Sequence, residues 1–171
     1  YVSDDGTVGA VASSNMKHPK LVVFDPIKLT RKFIMDCANN ELVGDMHISP
    51  DGKLLCYITG STFEAVSTIT GRSLLKTDEF IKKNNISCLN KLRFISNNEV
   101  LIAGSLKKNK GVAFILYSVA KLKVIKVQHI SSKIKAITSL DYCPVISPLT
   151  KAFDPDNSLI GLSGNDNFIT I

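Results

Sequence analysis

The sequence predicts an all-β fold, a propeller of four-stranded blades, and three observations carry that prediction. Short turn signals recur ahead of apolar strands at "SDDGTVGAVAS", "SPDGKLLCYIT", "SNNEVLIAGS" and "DPDNSLIGLSG". These signals are regularly spaced, with 46 residues from Asp5 to Asp51, again 46 from Asp51 to Asn97, and 59 from Asn97 to Asp156. Such a period is that of a WD-repeat blade, with an insertion in the last unit. Finally, runs such as Leu54 to Ile58 are apolar at every position. A strand in the middle of a blade is covered on both faces by the neighbouring blades, so an unbroken apolar run replaces alternation.

Each element follows from its own stretch. The units span about residues 1–40, 41–86, 87–132 and 133–171, a partial WD40-like propeller of about three and a half blades. In the second unit, Val43 to Ser49 reads as the innermost strand a, Lys53 to Gly60 as b, Phe63 to Ile69 as c and Ser73 to Thr77 as the outermost strand d. The first unit supplies b, c and d at Thr7 to Ser13, Lys20 to Phe24 and Arg31 to Met35, and the third runs from Cys88 to Ile130. The fourth holds strands at Lys135 to Tyr142 and Ser158 to Ser163, with a third beginning at Phe168. There is no Trp, so the usual Trp-Asp ending of strand c is replaced, in the first unit, by Phe24-Asp25. Because a closed ring needs about four to eight blades, the remaining blades are expected outside this chain, mostly before Tyr1. Helices longer than a turn or two are not expected. Leu54, Cys56, Tyr57, Ile58, Leu101, Ile102 and Ala103 are expected to be almost fully buried between blades.

Composition excludes several classes. With 44% hydrophobic and 21% charged residues, the chain is neither a disordered nor a membrane-embedded sequence. Its longest apolar runs fall far short of the roughly 20 residues that span a bilayer. It begins with Tyr1, shows no leader pattern and ends on Ile171 in mid-pattern, so it reads as a piece of a longer protein. The four cysteines (Cys37, Cys56, Cys88, Cys143) have no CxxC pairing, which points to a reducing compartment. Asn85-Ile86-Ser87 is formally a glycosylation sequon, useful only in a secreted chain.

Site motifs are sparse. His18, His47 and His129 lie in different units without metal-ligand spacing, so surface or packing roles suit them better. Gly161 to Gly164 resembles a nucleophile elbow but lacks the final Gly of GxSxG, and reads as a blade turn. Asp154 to Ser158 starts like a calcium loop, yet Leu159 stands where that loop needs Gly. Gly104 to Gly111 has glycines and lysines but no Gly-Lys-Ser/Thr ending, which disfavours a phosphate loop.

Charge is more informative. The net charge is +6 from 21 Lys+Arg against 15 Asp+Glu. The b–c and d–a loops of a propeller open on one face, the a–b and c–d loops on the other. On the boundaries above the first face carries a net +4 and the second −2. The basic face includes "SLKKNKG", so Lys107, Lys108 and Lys110 are the candidate partner-binding residues. They could steer an acidic protein surface, lie near anionic lipid, or simply be solvated lysines that keep sheet edges apart. Nucleic acid is the poorer reading, since the lysines are not interleaved with aromatics and Arg is scarce.

Together "YVSDDGTVGAVASS", "SPDGKLLCYITGSTFEAVSTITG", "NNEVLIAGSLKKNKG", "KAITSLD" and "SGNDN" resemble, in this order and spacing, the cytosolic propeller of a fungal endoplasmic-reticulum family. It is the Sec-type guanine-nucleotide exchange factor family of coat protein complex II, related to the prolactin regulatory element-binding protein of animals. The likeness fails mainly at Cys143 to Phe153. The resemblance implies a seven-bladed propeller on the cytosolic face of the endoplasmic reticulum, held there by a transmembrane segment outside this chain. It implies that the protein loads a Sar-family small GTPase with GTP to start vesicle coat assembly, with other coat components as further partners, and is a GTPase regulator rather than an enzyme. In that family a Gly/Asn-rich, potassium-binding loop of the first blade performs exchange. No such loop occurs here, so no catalytic residue and no cofactor are assigned to this chain. A yeast paralogue that binds the same machinery without exchange remains the alternative, as does a plain scaffold.

Overall fold

The computed structural model describes residues 1–13, 17–37, 41–109, 111–130, 137–146, 153–164 and 167–170. Among the described residues, fourteen strands form four antiparallel sheets, accompanied by one short α-helix. The first sheet is β1 (Gly9–Ala12), β2 (Lys20–Asp25) and β3 (Thr30–Asp36), in that order. The second is β4 (Val43–Ile48), β5 (Leu54–Thr59), β6 (Thr62–Ser67) and β7 (Ser73–Thr77). A six-residue helix, α1 (Glu79–Asn84), leads to β8 (Ile86–Phe94), β9 (Glu99–Leu106), β10 (Val112–Ser118) and β11 (Lys123–Ile130). The last sheet is β12 (Ile137–Ile146), β13 (Phe153–Gly164) and β14 (Asn167–Thr170). Within each sheet every strand pairs with its neighbour in sequence, the meander of propeller blades.

The unbroken apolar strands have the predicted cause. Along β5, Leu55 and Tyr57 enter the core shared with the first sheet, beside Leu21, Val23 and Ala10. Cys56 and Ile58 point the other way, into the core shared with the third sheet, beside Ile86, Ile102 and Tyr117. β9 repeats this, with Val100 and Ile102 facing the second sheet and Leu101 and Ala103 facing away from it. The two-residue period of a strand thus serves two cores at once. A fully buried side chain of this size contributes about 1.5–3 kcal/mol.

The turns explain the period. Ser3 Oγ donates to Asp5 Oδ1 at 2.6 Å while accepting from the Val8 N–H, and Ser49 repeats the pattern with Asp51 at 2.7 Å and Leu54. Gly6 and Gly52 take φ of +70° and +68°, a conformation in which an L side chain is strained. Successive turns are also joined. The Asp5 N–H donates to the Pro50 carbonyl at 3.3 Å, and the Asp51 N–H to Asn97 Oδ1, 46 residues away, at 3.1 Å. A second tie lies along the inner strands, where the buried Asp45 accepts from the Tyr1 hydroxyl and the Leu92 N–H and sits 3.6 Å from Lys91 Nζ.

Four expectations need correction. Leu54 is only partly buried, because it opens β5 at the end of the sheet where the neighbouring sheets no longer cover both faces. The "DPDNS" segment is not a turn: it lies inside β13, where Asp154 pairs with Val145 and Leu159 with Cys143. Residues 155–158 therefore stand opposite Pro144, which has no N–H to give the ladder, and the register slips there. The segment read as an insertion, Cys143 to Phe153, is in part a lengthening of β12 and β13. Gly161 to Gly164 is the end of β13, paired with β14, and not a turn.

Candidate functional site

The basic loop predicted to be the partner-binding site joins β9 to β10. Lys107–Asn109 form a single 3-10 turn closed by the Leu106 N–H donating to the Gly111 carbonyl at 2.9 Å. Lys108 sits at φ +61°, ψ 27°, a left-handed conformation that costs a non-glycine residue about 1–2 kcal/mol. The Lys107 N–H donates to the Asn85 carbonyl at 2.9 Å, which ties this loop to the residue that caps the C-terminal end of α1. Both side chains are exposed. Lys110, the third predicted residue, lies outside the described residues.

Other lysines of that face are neutralised locally. Lys82 and Lys83 pair with Asp78 and Glu79 one helical turn back, each at 2.7 Å, and Lys20 lies 3.7 Å from Asp36. Among the described residues, neither Lys107 nor Lys108 has an ion-pair partner. Nor can one come from nearby in sequence: from Val100 to Leu140 there are eight lysines and no Asp or Glu. The third blade is thus a block of positive charge, suited to carboxylates through charge-assisted hydrogen bonds.

The three histidines stay apart. His18 is exposed ahead of β2 and His129 exposed on β11, whereas His47 lies on β4 between the rings of Tyr1 and Phe94. No cluster of three or more His, Cys, Asp or Glu suited to a metal ion occurs among the described residues. Cys37 and Cys56 are buried free thiols, with burial pushing both pKa values up, while the free Cys88 is half-buried.

Sequence reasoning missed one feature. A cavity of about 380 Å³ opens between the outer strands β7 and β11, lined by Leu75, Phe80, Lys83, Tyr117, Val124 and Val127 among others. α1 closes one end by burying Phe80 against Phe63 and Tyr117. The signal was present in "TDEFIKKN", where Asp78 to Lys82 and Glu79 to Lys83 are both i,i+4 pairs of the helix-supporting orientation.

Comparison with known proteins gives both a fold and a set of relatives. The solved structure of U3-55K superposes with a TM-score of 0.62 over 100% of this chain and 50% of that one; at 12% identity the likeness is one of fold. No established family profile matches. The guanine nucleotide-exchange factor SEC12 of Candida glabrata is 33% identical over 172 residues, covering 99% of this chain and 34% of the relative. The SED4 proteins of Candida glabrata and Saccharomyces cerevisiae, whose designation as exchange factors is provisional, are 31% and 30% identical. They match 99% and 100% of this chain, which spans 15% of each of them. The chain is thus homologous, from end to end, to one portion of the SEC12 and SED4 guanine nucleotide-exchange factors of yeasts.

Proposed function

We propose that this chain is part of the cytosolic propeller of a guanine-nucleotide exchange factor that activates a Sar-type small GTPase and so starts coat protein complex II assembly at the endoplasmic reticulum. The observation that carries this reading is the end-to-end similarity to SEC12. The chain's own contribution is recognition. A rigid meander holds Lys107 and Lys108 at a loop tip without local carboxylates, and such a tip attracts an acidic GTPase surface and raises the rate of encounter.

The exchange step itself is assigned elsewhere in the protein. By resemblance it belongs to a Gly/Asn-rich loop that holds potassium, and no loop of that composition occurs in these 171 residues. No step is therefore derived through that ion. No helix among the described residues is long and apolar enough to cross a membrane, so placement at the membrane is proposed through a segment outside this chain. Near-equal identity to SEC12 and SED4 supports a second reading beside it, a propeller that binds the same GTPase and coat components without exchange.

Release of a fluorescent nucleotide from a Sar-type GTPase is the test. The 171 residues alone are expected to leave the rate unchanged, and a longer protein containing them is expected to accelerate it. Lys107→Glu with Lys108→Glu in that longer protein should slow association several-fold, most visibly below about 0.1 M salt, where screening extends to about 10 Å. Binding without acceleration by the longer protein would establish the second reading.

A further inference from the structure

The turns that join β2 to β3, β6 to β7 and β10 to β11 are built alike. Asp25, Ser67 and Ser118 each use a side-chain oxygen to accept from the backbone N–H three residues on, at Lys28, Thr70 and Lys121. The residue after each of these, Leu29, Gly71 or Leu122, takes φ of +54°, +70° or +50°. A glycine adopts that conformation freely, whereas a leucine is strained in it. Burial does not offset the strain, because Leu29 and Leu122 are 83% and 55% exposed. Ile27 and Ile69, two residues before the positive-φ position of the first two turns, are 79% and 74% exposed.

Single exposed aliphatics are ordinary on a protein surface. Four at matching turn positions of successive blades are not scatter. The turns also follow one another along one edge: a Cβ on Gly71 would lie 3.4 Å from the Phe33 ring of β3, and Leu122 lines the cavity with Leu75 of β7. Six exposed cations flank the tips, Lys28, Arg31, Lys32, Arg72, Lys121 and Lys123, and among the described residues none has an ion-pair partner. Two acids stand with them. Asp25 Oδ1 is turned in on its own loop, accepting from the Ile27 and Lys28 N–H groups at 3.0 and 2.9 Å, and Glu99 opens β9 opposite Ser118. The other acids of this face in the first three sheets, Asp4, Asp5 and Asp51, belong to the inner turns, about two strand spacings or about 10 Å nearer the middle. The negative count of the face is therefore that of its centre, and its rim is positive.

We infer that this rim rests on an anionic membrane surface, the aliphatic tips entering the headgroup layer and the six cations meeting lipid phosphates and carboxylates. Charge complementarity and the form of the surface select this occupant. A bilayer accepts each tip independently, whereas a folded protein partner would need a pocket for every tip at the spacing of the blades. The three turns carry no aromatic ring, so they offer a nucleobase nothing on which to stack. The inference is independent of the exchange reading, because Lys107 and Lys108 lie on the β9–β10 loop, at the opposite end of the strands from these turns.

The chain contains no Trp, so Ile69→Trp gives the rim a single optical reporter. Titration of the full chain with vesicles of phosphatidylcholine containing phosphatidylserine is expected to shift that emission to the blue, and vesicles of phosphatidylcholine alone to shift it far less. Lys28→Glu with Lys121→Glu should weaken binding about tenfold, the scale set by two cations near such a surface, while Lys28→Arg with Lys121→Arg should retain it. Leu29→Gly with Leu122→Gly separates binding from folding. Because glycine relieves the positive φ, the melting temperature followed by far-UV circular dichroism should hold, while vesicle binding falls about tenfold. Unchanged vesicle binding in the leucine-to-glycine pair, or an equal shift with phosphatidylcholine alone, would overturn the proposal. So would an equal shift with poly-glutamate in place of vesicles, which assigns the rim to an acidic protein.

Discussion

His47 shows how one side chain reports on the packing around it. Its ring lies 5.6 Å from that of Tyr1 and 6.2 Å from that of Phe94, with Nδ1 2.9 Å from the Ile48 carbonyl oxygen. Burial pushes the imidazole below its ordinary value of about 6.5; the Ile48 carbonyl opposes this and the charge of Arg93 adds to it. The unfolded chain therefore takes up the proton more readily than the folded one. The corresponding stability is fully present above about pH 6.5 and is lost as pH falls through the lower, folded value. The melting temperature is expected to drop as the pH falls below about 6.5, and His47→Gln should flatten that part of the profile. An unchanged slope in the variant would show that the imidazole is not the group responsible. The sequence placed His47 as a packing or surface residue, a reading that its isolation from His18 and His129 supports.

Among the elements, β5 gives the sharpest test of the two-core arrangement. Ile58 is 1% exposed, whereas Leu54, four residues earlier on the same face, is only partly covered. Ile58→Ala should cost about 2–5 kcal/mol and Leu54→Ala about half that or less, measured by chemical denaturation. Similar costs would mean that the sheets do not enclose the strand as described. The strands were legible because a buried strand writes its cover directly into an unbroken apolar run, and β7 matches its expected bounds, Ser73 to Thr77. Two elements were not. α1 is too short for helical periodicity to show, and only its paired charges mark it. The "DPDNS" stretch has the composition of the true turns at Asp5 and Asp51, but it lacks a Gly to take positive φ and faces Pro144, so it is accommodated as an irregularity within a hairpin.

At the scale of the whole molecule, the turns matter more than their small size suggests. Asn97 reaches back to the Asp51 N–H, an exposed contact between sheets. Asn97→Ala is expected to cost about 0.5–1.5 kcal/mol. It should also loosen the second sheet against the third, seen as faster amide exchange at Asp51 and Gly52 with β7 unaffected. Uniform exchange across both sheets would argue that the side-chain bond adds nothing to their coupling. The basic loop could be read from sequence because its lysines are contiguous, and the structure adds the bond to Asn85 that fixes its base. The cavity between β7 and β11 could not be, because its lining comes from β7, α1, β10 and β11, stretches that touch only after two blades have packed.

The inter-turn bonds also have a direction. In both, the earlier sheet donates its N–H and the later one accepts, at Asp5 to Pro50 and at Asp51 to Asn97. During synthesis each turn therefore emerges from the ribosome with that N–H bonded to water, and its protein acceptor is made 45 or 46 residues later. At translation speeds of about 5–20 residues per second, that interval is on the order of 2–9 seconds. Each new blade thereby completes the one before it, and the nascent chain is sealed from its amino-terminal end forward, one blade per interval.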